Sequence, residues 1–177
     1  MSRSLENATA LVTGASSGIG RATAKILARA KARVALVGRR QSILEELATE
    51  CGSLVSAYPC NMTDDAQLNE LAGRIRSDFS GIDILVHSSG IIKLGTTETS
   101  PVSDFDSQYA ANVRAPYILT QLLLPLLRET SGQIVVVNSS ITRAHNTAGR
   151  GSYAATQHAV HAMTNALREE VNEFGVR

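Results

Sequence analysis

The sequence predicts an α/β fold, a doubly wound parallel sheet held between two layers of helices. Three observations predict it. Short β-branched runs such as Thr9–Thr13 alternate with longer stretches of helical period. The intervals between those runs are long enough for helical crossovers, which parallel pairing requires. The first run opens directly into a glycine-rich turn that leads into a helix. Right-handed crossovers then place helices on both faces of the sheet.

The elements follow in order. Residues 9–13 read as the first strand and 18–30 as a helix. Residues 33–37 form a second β-branched run, followed by a helix over 41–50. Ser42 and Glu45 have capping-box spacing near its start. Residues 54–58 read as a weaker strand. Thr63 is the expected N-cap of a helix running to 79, with Asp64 and Asp65 favourable in its positive first turn. Residues 82–86 form the fourth strand. A long helix is expected over 102–128, kinked at Pro116, which lacks a backbone donor. Residues 134–138 form the last strand and 151–173 the closing helix, with Gly175 as its stop.

Composition narrows the class. The chain has 177 residues, 44% of them apolar, which suits one domain over 1–177 with a single core. A net charge of +1 gives no electrostatic reason to expect nucleic acid or an acidic membrane surface. No apolar run reaches the roughly eighteen residues of a membrane span. The first seven residues are polar and contain no apolar signal segment, so a cytoplasmic location is expected. Cys51 and Cys60 fit no zinc or redox spacing and are expected to be reduced structural thiols; no metal site is expected.

The turn Thr13-Gly14-Ala15-Ser16-Ser17-Gly18-Ile19-Gly20 has a physical use for each glycine. Gly14 permits a sharp turn, Gly18 lets the backbone approach a pyrophosphate, and Gly20 lets helix and strand pack closely. The helix N-terminus offers free N–H groups and partial positive charge to phosphates. Further along stand Asn112 in the long helix, Ser140 at the end of the last strand, and Tyr153 thirteen residues later.

Over nearly its whole length this pattern resembles the short-chain dehydrogenase/reductase family, with its T-G-x-x-x-G-x-G motif and Rossmann-like fold. The resemblance implies an oxidoreductase moving a hydride between a nicotinamide and a carbonyl or alcohol substrate. Ser140 would hold the substrate oxygen, Tyr153 would exchange its proton, and Asn112 would organise a water relay. Ser16, Ser17 and Ile19 belong to the phosphate turn. Asn61 and Met62 stand beside the adenine position, where the family commonly has Asp in place of Asn61. His87-Ser88-Ser89-Gly90 replaces the family's N-N-A-G. Ser88, Ser89 and Gly90 would line the cofactor ribose, with His87 a structural hydrogen-bonding residue.

The coenzyme is expected to be NADP(H). Gly38 stands where an NAD-type carboxylate would bond the ribose 2′-hydroxyl, so repulsion of a 2′-phosphate is absent. Arg39 can offer a planar fork to that phosphate, and Arg40 adds charge.

The chemistry departs from the family at one position. Gln157 stands four residues after Tyr153, where the resemblance calls for lysine. Residues four apart share a helix face, so Gln157 still faces the tyrosine. It brings no charge. A cation about 4 Å from a phenolate stabilises it by up to ~4 kcal/mol at an effective dielectric of about 20. Its loss predicts activity weakened within the ~10²–10⁴-fold range of acid–base contributions. The alternative is a non-catalytic NADP-binding or scaffold protein of the same descent. A hydrolase built on Ser140 lacks the G-x-S-x-G elbow. A methyltransferase-like domain lacks a reason for the Ser140–Tyr153 spacing.

The chain stops at Gly175-Val176-Arg177, where the family's next strand begins. The resemblance therefore implies a fold short of its C-terminal strands and helices, with a sheet edge left to expose or share. It also implies a homodimer or homotetramer built through the long helix and the tyrosine helix.

Overall fold

A computed structural model describes residues 4–143 and 148–177. Five parallel strands form one sheet in the order β3-β2-β1-β4-β5. They are β1 (Thr9–Thr13), β2 (Arg33–Gly38), β3 (Val55–Pro59), β4 (Ile84–His87) and β5 (Gln133–Val136). The helices are α1 (Gly18–Arg29), α2 (Gln41–Cys51), α3 (Asp65–Asp78), α4 (Val102–Tyr109), α5 (Ala115–Glu129) and α6 (Gly151–Val171). The chain winds outward from β1 to β3, then returns to β4 on the other side of β1. The crevice that such a reversal leaves at the carboxyl ends of β1 and β4 is where ligands bind in open α/β sheets.

Strand alternation builds the three layers. Ala10 and Val12 of β1 pack with Ala24 and Leu27 of α1 and Leu44 and Leu47 of α2. Leu11 between them belongs to the opposite cluster, with Leu71 and Ile75 of α3 and Leu119, Leu123 and Leu127 of α5. Both faces of β1 are therefore buried, which is why its sequence reads as a continuous apolar run. Each fully buried leucine of these layers contributes roughly 1.5–3 kcal/mol of transfer free energy.

Three local expectations are corrected. Asp64, not Thr63, caps α3: its Oδ1 accepts from the N–H groups of Ala66 at 2.9 Å and Gln67 at 3.1 Å. Thr63 is instead tied to Asn61 Oδ1. The capping box does not form, because α2 starts at Gln41 and Ser42 already lies inside its first turn. The helix expected over 102–128 with a kink at Pro116 is not continuous. It breaks upstream into a π-helical turn, Ala110–Arg114, with Pro116 in the first turn of α5, where a missing N–H is tolerated. Without a donor at 116 the Asn112 carbonyl loses its ordinary partner, and the ladder widens: the Ala115 N–H reaches back to Ala110.

At the far end Gly175 adopts a left-handed φ of +72° and stops the helical stretch. Arg177 then lies along β5, donating to Gly132 O at 3.0 Å and accepting from the Ile134 N–H at 2.7 Å.

Candidate active site

Two joined clefts lie along the carboxyl ends of the strands. The first, of about 630 Å³, is lined by the β1–α1 turn, the end of β2, the segment after β3 and the segment after β4. The turn is shaped by close backbone contacts. A Cβ on Gly14 would meet Ser88 O at 2.7 Å, and Gly14 has a φ of +67°. A Cβ on Gly20 would meet Gly14 O at 2.5 Å. Gly18, with φ +54°, has nothing within 4 Å of its Cβ position and leaves the backbone open to the cleft. Thr13 Oγ1 accepts the N–H groups of Ser88 and Ser89, each at 3.1 Å, so the turn and the end of β4 form one wall. Ser17 precedes α1 without capping it through its side chain, and no acidic residue stands in the helix's first turn. The amino end of α1 is thus left open to an anion.

The structure brings together in this cleft Gly14, Ser16, Ser17, Gly18, Ile19, Arg39, Arg40, Asn61, Met62, Ser88, Ser89 and Gly90. Gly20 lies behind the lining, packed on Gly14. Arg40 donates through Nε and Nη2 to Ser16 Oγ, at 3.2 and 2.9 Å. Arg39 is exposed at the cleft edge. Asn61, expected beside the adenine, takes two bonds from Thr63 on its Oδ1. Cys60 also lines the cleft, and burial pushes its thiol up to about 11, so it stays a thiol at neutral pH.

The second cleft, of about 330 Å³, shares Ile19, Ser88, Ser89, Gly90, Ile91 and Val137 with the first. Asn112, Tyr153 and Gln157 line it. Asn112 is buried in the π-helical turn. Its Oδ1 accepts from Ile91 N at 2.8 Å, while Nδ2 donates to Ile91 O at 2.9 Å and Thr156 Oγ1 at 3.2 Å. Gln157 is also buried, with Nε2 3.5 Å from Thr156 Oγ1. Ser140 is not brought into the cleft. Ser139 caps the short 3-10 turn Ser140–Thr142 through its Oγ, and this turn leaves Ser139 on the lining and Ser140 exposed.

His87 lies beneath the second cleft, with Nε2 2.9 Å from Thr120 Oγ1. This matches the structural role expected of it. Burial pushes its pKa down to about 4, so the ring is neutral at physiological pH. Gln108 is a residue sequence reasoning missed. It is fully buried, accepts from Lys93 N at 2.9 Å and donates to Ser152 Oγ at 3.0 Å, joining the loop after β4 to the start of α6. The available signal was an uncharged polar residue one turn before Asn112, on the same helical face.

The model of the short chain dehydrogenase family matches residues 8–177. The chain belongs to this family. As a short-chain dehydrogenase it has both sequence relatives and structural neighbours. Nodulation protein G of Rhizobium sp. (strain N33) is 34% identical over 163 residues, covering 92% of this chain and 66% of that protein. An uncharacterized oxidoreductase of Staphylococcus aureus (strain USA300) is 31% identical over 175 residues, covering 98% of this chain and 75% of its own. The crystal structure of a short-chain dehydrogenase from Streptomyces avermitilis superposes with a TM-score of 0.92 at 29% identity, over 97% of this chain and 63% of that one. This short-chain dehydrogenase therefore spans about two thirds of the nodulation protein's length.

Family membership implies a nicotinamide coenzyme. The cradle of glycines, the open amino end of α1 and the arginine edge fit its phosphates. No helix among the described residues is long and apolar enough to cross a membrane.

Proposed function

We propose that the chain binds NADP(H) in the first cleft and belongs to an oxidoreductase that interconverts small carbonyl and alcohol substrates, with chemistry weakened by Gln157. The observation that carries the coenzyme choice is the edge formed by Gly38, Arg39 and Arg40. No carboxylate stands there, and Arg40 is already braced on Ser16 of the phosphate turn. A 2′-phosphate meets two guanidinium groups and no like charge. The experiment is titration with NADPH and NADH of the chain and of Arg39→Asp and Arg40→Asp. Each substitution weakens NADPH binding about tenfold or more and NADH binding little. Equal losses for both coenzymes would remove the assignment.

The nicotinamide supplies the hydride when bound. The chain's own residues would orient the substrate and move its proton. Tyr153 is the proton donor, and Asn112 holds the Ile91 backbone that walls the cleft. The substrate-oxygen role expected of Ser140 falls to Ser139, since Ser139 lines the cleft and Ser140 is exposed. Restoring a cation by Gln157→Lys raises turnover of a carbonyl panel by about a hundredfold or more, within the usual acid–base range. No gain would sink this account of the chemistry.

A second reading, an NADP-binding protein without turnover, is favoured by Gln157. Tight NADPH binding with no turnover before or after the lysine substitution would select it. We also propose a homodimer or homotetramer. Phe105 and Tyr109 of α4 and Tyr117 of α5 are exposed aromatics on the helices the family commonly pairs. A monomer by equilibrium sedimentation would overturn that proposal.

A further inference from the structure

The two clefts differ in charge. The first carries Arg39 and Arg40 on its lining. Among the described residues the second is lined by no lysine, arginine, aspartate or glutamate. Its one titratable base, His87, is neutral across the physiological range because burial lowers its pKa to about 4. Lys93, the nearest lysine in sequence, does not line it; its Nζ lies 3.8 Å from Asp104 of α4. Gln157 occupies the buried position beside Tyr153 with a neutral amide.

A nicotinamide dinucleotide is asymmetric in the same way. Its phosphates are anionic in both redox states. Its nicotinamide ring is cationic when oxidised and neutral when reduced. With the phosphates on the glycine turn and the arginine edge, the ring would reach the second cleft, which shares its wall from Ser88 to Ile91 with the first. A cation at position 157 would repel the oxidised ring and leave the reduced ring untouched. The neutral amide removes that difference.

We infer that Gln157 tilts this site toward the oxidised dinucleotide, making the chain a better binder of NADP⁺ relative to NADPH than a site with a cation at that position. The inference rests on the proposed dinucleotide reading and adds a redox-state preference to it. It concerns binding alone and holds whether or not the protein turns over a substrate. Two unit charges about 6 Å apart, at an effective dielectric between those of a protein surface and water, change an equilibrium by about tenfold.

The test is calorimetric titration with NADP⁺ and with NADPH, at one ionic strength, of the chain, Gln157→Lys and Gln157→Glu. The readout is the ratio of the two affinities, in which the shared phosphate and adenosine contacts cancel. The lysine lowers the oxidised-to-reduced ratio about tenfold and the glutamate raises it by a similar factor. Higher salt compresses both differences. Glutamate matches glutamine in shape, so it carries the comparison if the lysine variant does not fold. A ratio unchanged across the three side chains, with binding intact, overturns the inference and leaves the dinucleotide reading standing. Failure of the unsubstituted chain to bind either form overturns both.

Discussion

Gly14 and Gly20 carry the tightest steric demands of the site. A methyl group on Gly14 meets the Ser88 carbonyl oxygen at 2.7 Å, on a backbone whose φ is +67°. Backbone rather than a movable side chain would have to give way, so Gly14→Ala costs about 2 kcal/mol or more. Gly18→Ala, with φ +54° and open space around it, costs only the backbone strain, about 1 kcal/mol. Urea midpoints of the two variants check this order, and a Gly14→Ala protein as stable as Gly18→Ala would contradict it. His87 sets a pH dependence. Its folded pKa of about 4 lies below the ordinary 6.5, so the unfolded chain binds the proton first as pH falls. The stability from a neutral His87 is complete above about pH 6.5, declines as pH falls, and is gone near pH 4, a loss on the order of 3 kcal/mol. His87→Phe flattens the urea-stability profile in that window; a profile of unchanged slope would count against burial as the cause. The glycines were legible in sequence because spacing alone encodes their use. The exposure of Ser140, with Ser139 on the cleft lining, was not legible, because it depends on the 3-10 turn that follows β5.

The element that shapes the second cleft is the π-helical turn Ala110–Arg114. It places Asn112 where one side chain grips both the N–H and the C=O of Ile91 and also reaches Thr156 of α6. Arg114, from the same turn, pairs through its two terminal guanidinium nitrogens, Nη1 and Nη2, with Asp65 at the start of α3, at 2.5 and 2.6 Å. That contact lowers the Asp65 pKa. A break at this point was foreseeable from Pro116, but its form was not. Proline reports a missing donor, whereas the slip to five-residue spacing depends on what the freed carbonyls and side chains meet across the cleft. The cap of α3 shows the same limit. Thr63, Asp64 and Asp65 are all competent near a helix start, and Asn61 decides among them by holding both the N–H and the hydroxyl of Thr63. Asp64→Ala therefore removes the cap and costs about 1 kcal/mol in chemical denaturation. Thr63→Ala leaves α3 nearly unaffected. The reverse order would reinstate Thr63 as the cap.

At the scale of the whole molecule a parallel, doubly wound sheet was readable, because strand runs, helical spacing and the first glycine turn all specify parallel winding; the order β3-β2-β1-β4-β5 and the crevice at its reversal came from the structure. What sequence could not reveal is how tightly the crevice ties the two halves together. Its walls come from both sides of the reversal: the β1–α1 turn, β2 and β3 on one side, and the segment after β4 on the other. Within the protein alone, Thr13 bridges them through Ser88 and Ser89. A dinucleotide lying along the crevice adds contacts that exist only when both halves are folded, so binding appears as stability. A ligand at a hundred times its dissociation constant adds about 2.7 kcal/mol. For a chain of this length, that raises the melting temperature by roughly 5–10 °C. If the arginine edge is worth about tenfold in affinity, NADH at the same concentration adds about 1.4 kcal/mol less, and its shift is smaller by roughly 3–6 °C. Differential scanning calorimetry with each coenzyme in turn reads both numbers. Equal shifts would take Arg39 and Arg40 out of the account. No shift with either coenzyme would mean that the crevice binds neither, and that its glycine turn serves only to pack α1 against β1.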